Sequence, residues 1–204
     1  PTLLLNLAAA AYYSEEQELD LVDQLTQQLL TDSEASAELL VLRAQALQPT
    51  DPQAAMLLYD RALQRVQDHP EFISGATYRR LIQPALEASP LPEVEATSEE
   101  ARLAIAHLLA AKATLLRNDA ETARSVDEPK QAEYEAYDAA VAYDPKNVDY
   151  RIHRGLVRFD RPGRTNEERQ ADVIAALNED LKPVIELSGD TPPAGAYFLN
   201  ARIQ

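Results

Sequence analysis

The segment Tyr134–Asn147, YEAYDAAVAYDPKN, constrains the fold more than any other stretch of the sequence. It places tyrosines and alanines three to four residues apart, which is the spacing of one face of an α-helix. The pattern then stops at Asp144 and Pro145, because a proline cannot continue a helix interior. The segment therefore predicts a helix that packs against its neighbours through small side chains and ends in a sharp turn.

Residue patterns that start a helix occur along the whole chain. They are Thr-x-x-Glu capping boxes and a capping side chain placed before a proline, at Thr31, Asp51, Thr97, Thr165 and Thr191. With the apolar periodicity, they predict helices over residues 2–13, 15–30, 34–48, 52–68, 71–89, 98–117, 128–143, 148–160, 166–188 and 193–203. Pro84 and Pro183 lie inside two of these segments and should kink or break them.

The predicted helices are mostly joined by short connections, which makes successive helices antiparallel neighbours. The two longer connections, 89–97 and 117–128, are polar insertions rather than domain linkers, since the helical pattern resumes after each. We therefore expect one all-α domain over residues 1–204, built from antiparallel helical hairpins. The amino-terminal helix should bury a face that contains Leu3, Leu4, Leu7, Ala8 and Ala11. The chain begins at Pro1, and we expect it to be a piece of a longer protein.

Composition excludes several classes of function. The net charge of −15 argues against a nucleic-acid or anionic-membrane partner, because such surfaces need clustered Lys and Arg. The chain has no cysteine, and its three histidines, His69, His107 and His153, lack metal-ligand spacing. We therefore expect no metal and no cofactor. The absence of disulfides and of a signal-peptide pattern favours a cytoplasmic location, and no segment predicts insertion into a membrane.

One pairing of residues recurs in three predicted helices. A large side chain is followed three residues later by a small or branched one, at Tyr59 and Ala62, Tyr137 and Ala140, and Leu181 and Val184. In this pattern the chain resembles the tetratricopeptide-repeat (TPR) family, whose 34-residue unit is a helical hairpin. Residues 132–160 match best, and the other repeats need insertions of about ten residues.

The resemblance implies a TPR-like α-solenoid of about four to six hairpins. It implies that Ala140 lies where the second helix of one hairpin meets the first helix of the next, with Tyr137 filling the space beside it. Pro145 corresponds to the closing proline of the repeat, and Gly155 to its mid-helix glycine. Arg151 departs from the pattern, because the family usually has a large apolar residue at that position.

No catalytic constellation is present in the sequence. The five glycines are scattered, and neither a phosphate-binding loop nor a Gly-x-Ser-x-Gly elbow occurs. The resemblance implies instead a protein–protein interaction module, a scaffold or adaptor that binds its partner on a concave helical surface. Two alternatives remain at this level: an enzyme built on an α/α toroid, and a regulatory or substrate-binding helical domain of a larger enzyme.

A basic segment stands out from the acidic background. Residues 151–169 contain six arginines and only three acids. The arginines either pair with carboxylates of neighbouring helices, such as Glu133 or Asp138, or form a patch that binds a partner's acidic segment or C-terminal carboxylate. The candidate partner-binding residues are Arg151, His153, Arg154, Arg158 and Arg161.

Overall fold

A computed structural model of the chain describes residues Leu7, Ala8, Ala11, 19–29, 36–69, 98–122 and 127–204. All regular secondary structure in these residues is helical, and none of them lies in a β-strand, so the predicted all-α class is confirmed. Two compact units divide the chain, Pro1–Leu108 and Leu109–Gln204. The prediction of a single domain over residues 1–204 stays a prediction.

Three helices with described bounds belong to the first unit alone: Leu19–Leu29 (α1), Ala37–Leu47 (α2) and Pro52–Asp68 (α3). α2 packs against both α1 and α3. One apolar cluster of this unit consists of Ala8, Ala11, Val22, Leu25, Leu42 and Ala46. Ala8 and Ala11 are buried as predicted, but Leu7 is half exposed, so the prediction that Leu7 is buried was wrong. The small alanines, rather than this leucine, face the packed side.

Local capping explains where α2 and α3 begin. The Asp51 carboxylate accepts a hydrogen bond from the Ala54 amide at 3.0 Å, and Pro52 occupies the first helical position, as predicted. The cap of α2 is Ser36, whose hydroxyl accepts from the Leu39 amide at 3.2 Å. The predicted start signal at Thr31 lies outside the described residues, as do residues 71–97 with Pro84 and Thr97.

A long helix, Ser98–Thr122 (α4), begins in the first unit and ends in the second. It is followed by Asp127–Tyr143 (α5) and Val148–Arg158 (α6). The predicted loop 117–128 is therefore too long, because α4 continues to Thr122. Ala140 is fully buried and Tyr137 almost so, in the cluster Ala110, Ala113, Tyr137, Ala140 and Val157. Both residues are therefore core residues of the second unit, and the repeat positions that the resemblance implied for them stay a prediction.

Residues 166–188 form one continuous helical run, as predicted. It consists of Asn166–Ala175 (α7), a π-helical turn at Ala176–Leu181, and Lys182–Ser188 (α8). Thr165 and Glu168 form the predicted capping box, with both of its hydrogen bonds present. Pro183 does not break the helical run, because it lies in the first turn of α8, directly after the wider π turn that ends at Leu181.

The last helix, Ala194–Ile203 (α9), begins later than predicted. Thr191 does not cap it, and Pro193 occupies the capping position instead. The physical reason is the Pro192–Pro193 pair, because a residue that precedes a proline is held in extended backbone and cannot start a helix. α9 packs against α6 and against the π turn.

Contacts at both ends of α6 fix the directions of its neighbours. α5 and α6 are antiparallel. Tyr134 on α5 lies near Arg158 at the end of α6, whereas Asp138, one turn later on α5, bonds Arg154, one turn earlier on α6. Residues 166–188 are also antiparallel to α6, since Arg151 bonds Glu179 and the later Arg161 bonds the earlier Asp172. α6 and α9 are parallel, since Ile152 lies against Gly195 and Asp160 bonds Arg202.

Candidate partner-binding site

α6 carries four of the five candidate residues, Arg151, His153, Arg154 and Arg158. Asn147 caps it, and its side-chain oxygen accepts from the amides of Asp149 at 3.1 Å and Tyr150 at 3.2 Å. The helical spacing of Arg151, Arg154 and Arg158 then places them along one side of the helix. That side faces the π turn.

Asp180, on the π turn, is the centre of the arginine cluster. Its side chain is fully buried, and its Oδ1 accepts from Arg154 Nε at 2.7 Å and lies 2.6 Å from Arg154 Nη2. Its Oδ2 accepts from Arg158 Nε at 3.0 Å. Arg154 also donates to Asp138 on α5 at 2.8 Å, and Arg158 donates to the Glu179 carboxylate. The two guanidinium groups thus join three consecutive helical segments.

The electrostatics of this cluster are those of a buried ion pair. Burial raises the pKa of the Asp180 carboxyl, and the adjacent Arg154 and Arg158 oppose that rise. Burial also works against the charge of Arg154, but Asp180 and Asp138 outweigh it and raise its pKa. Because both arginines are nearly enclosed, the removal of one partner would leave a charge without compensation in the interior.

Arg151 is held by backbone rather than by carboxylates. Its Nε donates to the Pro145 carbonyl at 2.8 Å and its Nη1 to the Glu179 carbonyl at 2.5 Å. Pro183 lies four residues after Glu179 and has no N–H, so the usual helical bond to that carbonyl cannot form. Arg151 therefore takes the free acceptor, and within the described part of the chain it has no carboxylate partner. It is half-buried.

Arg161 lies beyond the end of α6, against an aromatic ring. Its guanidinium carbon is 4.1 Å from the centre of the Tyr134 ring, a cation–π distance. It also donates to Asp172 on α7, whose other oxygen lies 3.5 Å from Arg164 Nε. Arg161 thus fixes the connection between α6 and α7.

His153 belongs to a different cluster. Its ring stacks on Tyr137 with centroids 5.2 Å apart, and its Nδ1 lies 3.3 Å from Arg117 Nη2 on α4. A guanidinium can only donate, so Nδ1 is the acceptor in this assignment. Burial, and then the charge of Arg117, lower the pKa of His153. Arg117 also donates to the buried Glu133 at 2.7 Å.

The structure therefore divides the five candidate residues. Arg154, Arg158 and Arg161 are engaged in ion pairs between helices, Arg151 is tethered by carbonyls, and His153 packs beside α4. Of the carboxylates expected to pair with the arginines, Asp138 does so, whereas Glu133 pairs with Arg117. Binding of a partner by these residues stays a prediction.

Sequence reasoning missed Asp180, the acid that organises the cluster. A signal was present, because Asp180 occurs on the apolar side of its helix with Leu177, Leu181 and Val184. A carboxylate on such a face is either paired or neutral. The neighbouring polar residues Asn178 and Glu179 hid that signal.

The described residues contain no group of three or more His, Cys, Asp or Glu side chains placed to hold a metal ion. No described helix combines the length and the apolar character that a bilayer crossing requires. A scan against protein-family models finds no match, and no curated protein sequence is significantly similar to this chain.

Proposed function

We propose that the chain is a TPR-like array of helical hairpins that acts as a protein–protein interaction module without catalytic activity of its own. The observation that carries this proposal is the order of helix directions in the second unit. α5, α6 and residues 166–188 alternate in direction, and α6 and α9 run parallel. Successive first helices of stacked hairpins have this relation, and stacked hairpins leave an extended surface for a partner.

Close helix contacts support the same proposal. A Cβ atom added at Gly155 would lie 2.8 Å from a methyl group of Leu199, and one added at Gly195 would lie 2.9 Å from Ile152. Glycine therefore lets α6 and α9 approach each other directly. The TPR resemblance gives Gly155 the place of the mid-helix glycine of the repeat.

The proposed partner is a protein or peptide segment that carries carboxylates. Arg151 supports this part of the proposal, because its guanidinium is oriented by two carbonyls and forms no ion pair with a carboxylate of the described residues. Planar guanidinium groups bind carboxylates through paired hydrogen bonds. Arg154, Arg158 and Arg161 would position this surface, and His153 would border it.

The experiment compares the chain and two variants as bait in an extract of its own cells. Arg151→Gln removes the proposed anchor. Arg169→Gln is the matched control, because it removes the same charge from an exposed position on α7. We expect a protein that the wild type and the control retain, and that Arg151→Gln retains about tenfold less, since truncated charged contacts at binding hot spots cost this much or more.

The salt dependence of retention is a further part of the test, and two results would contradict the proposal. Retention should weaken as ionic strength rises, because the attraction acts between exposed charges. If no protein is retained specifically, the interaction module itself is refuted. If Arg151→Gln retains the partner as well as the control does, the module stands but its contact surface lies elsewhere.

A further inference from the structure

The outer face of α9 carries an apolar stripe made of Ala194, Tyr197, Phe198 and Ala201. Tyr197 is 64% exposed and Phe198 is 60% exposed, and both alanines are exposed as well. Their spacing of three, one and three residues places all four on one side of the helix. The opposite side is buried in the core through residues such as Ala196 and Leu199. α9 is therefore apolar on both sides, which is unusual for a helix at a protein surface.

The stripe reads the same in both directions along the helix. Its order is small, aromatic, aromatic, small, so a second α9 lying antiparallel would present the same order to it. Ala194 would then face Ala201 of the second copy, and the aromatic rings would meet at the centre. Small residues let two helices approach, and offset aromatic pairs are favourable. A two-fold contact requires this kind of self-complementary surface.

Charges at the two ends of the stripe favour the antiparallel orientation. The exposed carboxylate of Asp190 precedes α9, and Arg202 lies in its last turn. Arg202 bonds Asp160 at 3.0 Å and its side chain remains 38% exposed. An antiparallel copy brings the acidic end of one helix to the basic end of the other, whereas a parallel copy brings like charges together.

We propose that this stripe is the contact surface of a homodimer in which α9 packs antiparallel against α9 of a second copy. The dimer does not depend on the interaction function proposed above. It covers the two most exposed aromatic side chains of the described second unit. It also places no charge at the centre of the contact.

Sedimentation equilibrium over the micromolar range tests the association. We expect the wild-type chain to reach twice the monomer mass. Phe198→Glu should weaken the dimer at least tenfold, because the two-fold axis places the two introduced carboxylates close together. Leu57→Glu is the matched control, since Leu57 is 66% exposed but belongs to the first unit, and it should associate like the wild type.

Cross-linking tests the orientation, and the absence of cysteine from the chain makes this test clean. A mixture of Ala194→Cys and Ala201→Cys chains should be joined by a short bis-maleimide, whereas each variant alone should be joined poorly. A wild-type chain that stays monomeric overturns the proposal and leaves the stripe to a different partner. Self-cross-linking of Ala201→Cys in preference to the mixture also overturns it, as does a dimer that Phe198→Glu does not weaken.

Discussion

Single small residues decide how closely the helices of the second unit approach. Ala140 is completely buried, in the cluster that also contains Tyr137 and Val157. A Cβ atom added at Gly155 would lie 2.8 Å from a Leu199 methyl group and 3.2 Å from the Asp180 Cβ. At both positions a larger side chain would occupy space that a neighbouring helix already fills.

We predict that Ala140→Leu destabilises the chain by about 1–3 kcal/mol, because overfilling a packed contact forces the helices apart. Ala142→Leu is the matched control, since Ala142 is exposed on the same helix. It should change the stability by no more than about 0.5 kcal/mol. Urea denaturation of the wild type and both variants measures the difference. If the two variants have equal midpoints, Ala140 does not lie at a tight helix contact.

At the scale of helices, buried charge as well as apolar packing joins α6 to the π turn. Asp180 accepts hydrogen bonds from Arg154 and Arg158, and Arg154 also reaches Asp138 on α5. Pro183 contributes indirectly, because it leaves the Glu179 carbonyl free to accept from Arg151 and Arg154. Neighbouring elements are thus tied by a network in which most groups are hidden from water.

Asp180→Asn should therefore destabilise the fold by about 3–5 kcal/mol, since it removes the buried counter-charge that Arg154 and Arg158 share and leaves them only the half-exposed Asp138 and Glu179. Asp138→Asn removes a carboxylate that also bonds Arg154, but the Asp138 side chain is 51% exposed. That substitution should cost about 1 kcal/mol or less. Chemical denaturation of both variants compares the two sites. Equal costs would show that the burial of Asp180 does not determine its contribution.

For the molecule as a whole, the free energy of unfolding should depend on pH through a histidine. Burial lowers the pKa of His107 to about 4, from the ordinary value of 6.5. Between these values the unfolded chain takes up a proton that the folded chain excludes. This part of the stability is therefore complete above pH 6.5 and is lost progressively as the pH falls towards 4.

We predict a loss of about 2 kcal/mol in unfolding free energy from this group between pH 7 and pH 5. His107→Gln should remove that part of the pH dependence, because glutamine does not titrate. Urea denaturation at a series of pH values measures the slope for both chains, in a range where most exposed carboxylates stay ionised. An unchanged slope in the variant would mean that folding does not lower the pKa of His107.

Some interactions of the arginine cluster could be predicted from the sequence, but the positions of the side chains in space could not. The helical spacing of Arg151, Arg154 and Arg158 predicted a shared face, and Asp138 was an expected partner. Asp180 was missed, since it is 26 residues from Arg154 along the chain. Its pairing depends on where residues 166–188 pack, which no local pattern specifies.

The helical class and most of the described helix boundaries follow from local patterns in the sequence. Caps such as Asp51 and the Thr165–Glu168 box act on backbone groups within three residues, so their effect can be read locally. Local patterns do not specify which charges are buried and which apolar face stays open. Those outcomes depend on which distant helix lies alongside: Asp180 becomes a buried counter-ion because α6 covers it, and Tyr197 and Phe198 remain exposed because no described helix covers the outer side of α9.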